Sequence, residues 1–152
     1  MDFQVVWSTE TPGERHVSFS GDRTPCRGGL RVVEAQPIYE SQLDNVSCHT
    51  CGAYVCFDMK AAQAAAVRYV SRAASTAKWQ PAEHYDFAGQ IADQVAAVAF
   101  RLKRERGEWN SNMVFTEFMC SHTLATDKCP EAKLIGMTAI TVLETLKEHE
   151  LG

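Results

Sequence analysis

The rhythm of hydrophobic and polar positions changes once along this chain. Before about residue 57 the apolar residues come in short runs. Phe3-Gln4-Val5-Val6-Trp7, Arg15-His16-Val17-Ser18-Phe19 and Leu30-Arg31-Val32-Val33 read as strands. Thr11-Pro12-Gly13, Gly21-Asp22 and Pro25-Cys26-Arg27-Gly28-Gly29 are the turns between them. Gly52-Ala53-Tyr54-Val55 has the same texture and is expected to be a further strand. Beyond that point the period becomes helical. Asp58 is a ready N-cap for a helix from Met59 to about Lys78, with Ala62, Ala66, Tyr69, Val70 and Ala73 on one face. Trp79-Gln80 breaks the pattern, and Pro81 suits the first position of a second helix with Glu83 in its first turn. Tyr85, Ala88, Ile91, Ala92, Val95, Ala99 and Leu102 form its apolar stripe, and Gly107 follows its basic end. Met113–Met119 fits a helical turn or a strand. Pro130 opens a last helix to about His149, with Leu134, Ile135, Ala139, Val142, Leu143 and Leu146 as its apolar positions.

The expected fold class is α+β. A small N-terminal β module, residues 1–57, precedes an α-helical region, residues 58–152, of three to four helices, and the two pack as one compact unit. With 152 residues, 45% hydrophobic and 22% charged, the chain has an ordinary globular composition. Its β half carries few large apolar residues, and small domains of that kind need a staple. The opening MDFQVVWSTE has neither a basic nor an apolar leader region, and no apolar run approaches the ~20 residues of a membrane span. A cytoplasmic protein without membrane contact is expected. In that compartment six cysteines read as metal ligands or free thiols rather than disulfides.

Ser47-Cys48-His49-Thr50-Cys51-Gly52-Ala53-Tyr54-Val55-Cys56 concentrates three of those thiols. Zinc takes four soft or borderline ligands in a tetrahedron, and Cys48-x-x-Cys51 supplies two from one turn. His16, at the start of a strand, and Cys26, in a Pro/Gly turn, are the upstream partners. The set His16, Cys26, Cys48 and Cys51 is therefore expected to hold one Zn²⁺. In small zinc-finger peptides such binding contributes on the order of 10 kcal/mol to folding, ample for a weak core. His49, inside the Cys-x-x-Cys turn, is the alternative ligand to His16, but a side chain within that turn usually points away from the ion. A second set, Cys56, Cys120, His122 and Cys129, would hold a second Zn²⁺ and tie the β module to the last helix. Cys56, between Val55 and Phe57, taken alone reads first as a core thiol. His84 and His149 are expected to face solvent.

Arg15-His16-Val17-Ser18-Phe19-Ser20-Gly21-Asp22-Arg23-Thr24-Pro25-Cys26-Arg27-Gly28-Gly29, followed by Val46-Ser47-Cys48-His49-Thr50-Cys51, resembles small zinc-binding, zinc-ribbon-like proteins of actinobacteria and their phages. In that family a His opens a strand, a Cys follows a Thr in a T-x-C-G turn, and a C-x-x-C closes the site. The resemblance covers roughly residues 14–55 and implies a zinc-ribbon-like module; the family generally has no assigned activity. Arg27 stands where the family pattern has Gly, with Gly28 one position later.

No catalytic residue is assigned. Four protein ligands fill a zinc coordination sphere, which marks a structural site. The chain has no H-E-x-x-H, no G-x-S-x-G and no phosphate-binding glycine loop. A redox Cys-x-x-Cys belongs at a helix N-terminus, and the strand expected after Cys51 argues against it. A small zinc-dependent or thiol-based enzyme is the alternative to the main expectation, a zinc-stabilised, non-catalytic binding or regulatory protein. Its partner is a protein or a nucleic acid. Arg101, Lys103, Arg104 and Arg106, with Trp109 beside them, are candidate phosphate contacts, although cations also favour helix C-termini for their own sake. Arg15, Arg23, Arg27 and Arg31 form a second basic group around the zinc turn. The net charge of −4 argues against grip on nucleic acid through global charge. The small face of the Ala-rich helix admits a homo-oligomer.

Overall fold

The computed structural model describes residues 3–26, 29–37, 45–76, 81–121 and 130–150; the side chains of 34–37, 74, 76, 81–86 and 130–132 are not among those described. Three strands and five helices follow one another among them. Strand β1 (Gln4–Trp7) lies between β2 (His16–Ser18) and β3 (Glu34–Pro37), antiparallel to both. The helices are α1 (His49–Cys56), α2 (Met59–Thr76), α3 (Pro81–Arg106), α4 (Ser111–Ser121) and α5 (Pro130–Glu148). The fold is α+β, with more helix than the three to four expected.

Two expectations from the sequence are corrected. Leu30–Val33 is not the third strand. Leu30 instead closes a loop with Thr24: the Thr24 N–H donates to the Leu30 carbonyl at 3.0 Å and the Leu30 N–H to Thr24 Oγ1 at 2.9 Å. The chain joins the sheet only where the Val33 N–H reaches the Trp7 carbonyl at 2.8 Å, so pairing starts one residue later. Gly52–Val55 is not a strand but the middle of α1. The β-branched and aromatic residues there favour extended chain only weakly, and packing against α3 overrides that preference. The ambiguous segment 113–119 is helical, within α4.

The other helix boundaries follow their local chemistry. Asp58 Oδ1 accepts the Ala61 N–H at 3.0 Å, the N-cap bond expected of it. Gly107 ends α3 with φ +78°, and its N–H reaches the Lys103 carbonyl at 2.8 Å. Residues 77–80, including the expected break at Trp79-Gln80, lie outside the described residues.

The buried apolar residues form two clusters. The larger is helical: Ala62, Ala66 and Val70 of α2 meet Ala92, Val95 and Ala99 of α3 and Val142 and Leu146 of α5. The small face of α2 is thus covered by α3 and α5 of the same chain. The smaller cluster comprises seven buried residues, Val5, Val17, Cys26, Leu30, Val46, Cys48 and Cys51. Three of the seven are thiols, so the interior of the N-terminal half is made in large part of candidate ligands. No helix among the described residues is long and apolar enough to cross a membrane.

Candidate metal centre

Three pieces of local structure converge on one point. His16 opens β2, and its register opposite Val6 fixes it in the sheet. Cys26 sits in the loop that Thr24 closes, where the Gly29 N–H returns to the Cys26 carbonyl at 2.9 Å. Gly29 takes φ +98°, a conformation other residues adopt at a cost. Cys48 is the N-cap of α1, and Cys51 lies in the first turn of that helix. The Cys-x-x-Cys turn is tied to β2 by the backbone: the Arg15 carbonyl accepts both the Ser47 and Cys48 N–H groups at 3.1 Å, and the Arg15 N–H donates to Ser47 Oγ at 2.8 Å.

The result is a cluster in which one donor atom each of His16, Cys26, Cys48 and Cys51 lies within 4.8 Å of every other, all four residues being buried. His16 Nδ1 is 3.4 Å from Cys26 Sγ and 3.5 Å from Cys51 Sγ. Bonds of about 2.3 Å to sulfur and about 2.0 Å to nitrogen, set tetrahedrally, place nitrogen and sulfur roughly 3.5 Å apart. Both nitrogen–sulfur distances therefore fit a shared ion, and these four residues can hold one. The expected first site is brought together in full.

Neighbours orient the donors. Thr11 Oγ1 lies 2.8 Å from His16 Nε2, leaving Nδ1 to face the sulfurs, and a Glu14 carboxylate oxygen stands 3.7 Å from the same Nε2. Thr24 Oγ1 is 3.4 Å from Cys26 Sγ. Such outer partners fix a ligand's tautomer and direction. Thr11 is the residue that sequence reasoning missed; Thr11-Pro12-Gly13 carried only a turn signal.

The cluster is electron-rich. Burial, the largest single influence on His16, pulls its pKa down, but hydrogen bonds and charge from Cys26 and Cys48 together lift it to about 9. Hydrogen bonds with Cys26 and Cys51 draw the Cys48 thiol well below the ordinary range, while those with Cys26 and Cys48, aided by burial, hold the Cys51 proton in place. A cation seated among these groups satisfies all of them at once, and its arrival displaces protons.

The remaining candidates fall elsewhere. His49 turns away from the cluster, as expected, with its ring 6.2 Å from that of Phe100. Burial, then the charges of Arg104 and Arg101, lower its pKa. Cys56 is half-buried at the end of α1 against the helical core, and Cys120 is exposed on α4. His122 and Cys129 of the second set, and the side chain of His84, lie outside the described residues. His149 is exposed, 4.0 Å from an Asp58 carboxylate oxygen.

Three of the four cations near the end of α3 are engaged within the molecule. Arg101 pairs with Glu117 at 3.0 Å and Lys103 with Glu150 at 2.7 Å, while Arg104 donates to the Val46 carbonyl. Lys103 also lies over the Phe57 ring, and Trp109 donates to Glu150. Arg106 is exposed. This run braces α3 against the C-terminus and against the segment leading to Cys48. Comparison with protein families, with curated proteins and with solved structures gives no match for this chain.

Proposed function

We propose that this protein is a zinc-stapled, non-catalytic binding protein. One Zn²⁺ held by His16, Cys26, Cys48 and Cys51 fixes a zinc-ribbon-like N-terminal module onto a helical bundle. The observation that carries this reading is the closed set of four buried donors in the spacing of a tetrahedral ion. Zinc is the metal that sulfur with one imidazole suits best. With every ligand position supplied by the protein, no site is left for an activated water, which favours a structural over a catalytic role. The ion does for the N-terminal half what its small apolar cluster does poorly.

One observation favours a second reading, a thiol-based redox enzyme. Cys48 caps a helix, the position in which a Cys-x-x-Cys thiolate is favoured, contrary to the expected strand. Against it stand His16 and Cys26, which enclose the pair and bury it.

Metal analysis of untagged protein, with Cys48→Ser alongside, tests the proposal. The expected result is one zinc per chain, lost in the variant together with the ordered N-terminal half. A metal-free chain that folds normally and cycles between a dithiol and a Cys48–Cys51 disulfide would establish the redox reading instead.

A further inference from the structure

Two arginines, Arg23 and Arg31, flank the metal loop. Arg23 and Arg31 face each other across an isolated antiparallel bridge at the mouth of that loop. Like charges directly opposite one another destabilise a strand pair. The arrangement is nonetheless built firmly, by the Thr24–Leu30 bonds above and by an Arg23 guanidinium that reaches the Gly29 carbonyl at 3.2 Å. Glu10 is turned to the Arg31 backbone N–H, at 3.4 Å. Among the described residues no carboxylate pairs with the side chain of Arg23, Arg31 or Lys60.

The same loop borders a cavity of about 510 Å³ lined by Phe19, Pro25, Tyr54, Phe57, Met59 and Lys60. Its volume is in the range of small-ligand sites, and its walls are largely apolar. Phe19 is 40% exposed at its edge and rests against Phe3, their rings 6.0 Å apart. Asp58, which also borders the cavity, is committed to capping α2. The Ser18 hydroxyl donates to the Arg23 carbonyl at 2.6 Å, which holds the Phe19 turn and the arginine pair together.

We infer that this surface binds single-stranded nucleic acid: Arg23 and Arg31 grip successive phosphates, Lys60 a third, and a base enters the cavity to stack on Phe19. The inference rests on the binding-protein reading above and names its partner. Paired guanidinium groups match phosphate oxygens, whereas an apolar protein segment would leave both charges unanswered. Aromatic stacking from a concave wall requires an unpaired base, which a duplex does not offer. Pro25 is one residue from Cys26, so the metal sets the position of one wall.

Fluorescence anisotropy with labelled 12-nucleotide RNA and DNA strands and the corresponding duplex, on the zinc-loaded full chain, tests this. Binding of either single strand in preference to the duplex is expected, with a log–log salt slope of about −2 for three phosphate contacts. Arg23→Ala/Arg31→Ala should flatten that slope by about 1.4 and weaken binding roughly ten-fold or more. Phe19→Ala should weaken it roughly 5- to 100-fold with the slope unchanged. No single-strand binding, binding indifferent to salt, tighter binding of duplex, or affinity unchanged in both variants would overturn the inference. Zinc content and circular dichroism measured on the same samples separate the two claims. Absent binding with zinc in place overturns this inference alone, whereas absent zinc overturns the staple.

Discussion

Gly52 of α1 lies directly against the ring of Phe100 in α3, so closely that a Cβ on residue 52 would overlap the ring's edge. The glycine after Cys51 is therefore what lets the helix carrying two metal donors press onto the bundle. Helix propensity alone favours alanine here by about 1 kcal/mol. The clash outweighs it, because overpacking a core costs about 1–3 kcal/mol. Gly52→Ala should lower stability in urea denaturation by up to about 2 kcal/mol, the overpacking cost less the propensity gain. Adding Phe100→Leu should recover part of that loss, since the smaller side chain vacates the space. Equal losses from Gly52→Ala with and without Phe100→Leu would show that the contact is not the cause.

Thr11 touches the imidazole on the side away from the sulfurs. If His16 is a metal donor, removing the Thr11 hydroxyl leaves the ring free to choose the wrong tautomer and orientation. Thr11→Val should weaken zinc affinity about 10-fold, near the low end for outer-sphere partners, and Thr11→Ser should keep it. Competition with a chromophoric chelator reads both. Equal affinity in wild type and Thr11→Val would mean that Nδ1 needs no such support.

The four donors were legible because metal chemistry restricts residue type and spacing more tightly than folding does. The helix boundaries at Asp58, Gly107 and Pro130 were legible for a related reason: caps and prolines act locally. What escaped was set by tertiary contact. Gly52-Ala53-Tyr54-Val55 reads as strand from its own preferences, whereas it lies in a helix packed on α3, whose Phe100, 48 positions on from Gly52, sits against it. The basic run at 101–106 invited a phosphate reading because its acids, Glu117 and Glu150, are remote in sequence. Thr11 was invisible as an orienting residue because a hydroxyl in a turn carries no spacing code.

Arg104 donates to the Val46 carbonyl two residues before Cys48. It couples the third helix to the segment that delivers the Cys-x-x-Cys turn. Arg104→Ala should cost about 1 kcal/mol of stability, in line with the net worth of a hydrogen bond. Loosening the approach to Cys48 should also accelerate zinc transfer to an external chelator several-fold. Transfer at the wild-type rate would confine Arg104 to the surface of α3.

Asp93 is held among helices by two donors, Tyr54 Oη at 3.0 Å and Gln63 Nε2 at 2.8 Å. Burial raises its pKa, and the two hydrogen bonds pull against that without overcoming it. The folded chain therefore binds this proton more tightly than the unfolded chain, whose carboxyl titrates near 3.9, about the model-peptide value. Its contribution to stability is fully present below that value and is lost as pH rises through the folded pKa. At neutral pH the site carries the disfavoured charge. Asp93→Asn preserves an oxygen acceptor for both donors and removes that charge, so it should stabilise the protein at pH 7. The gain should shrink steadily as pH is lowered toward 4, where the native carboxyl regains its proton. Urea midpoints of the two proteins across pH 4–8 give the comparison. A variant destabilised at pH 7 would mean that the carboxylate's charge strengthens the Tyr54 and Gln63 bonds by more than its burial costs.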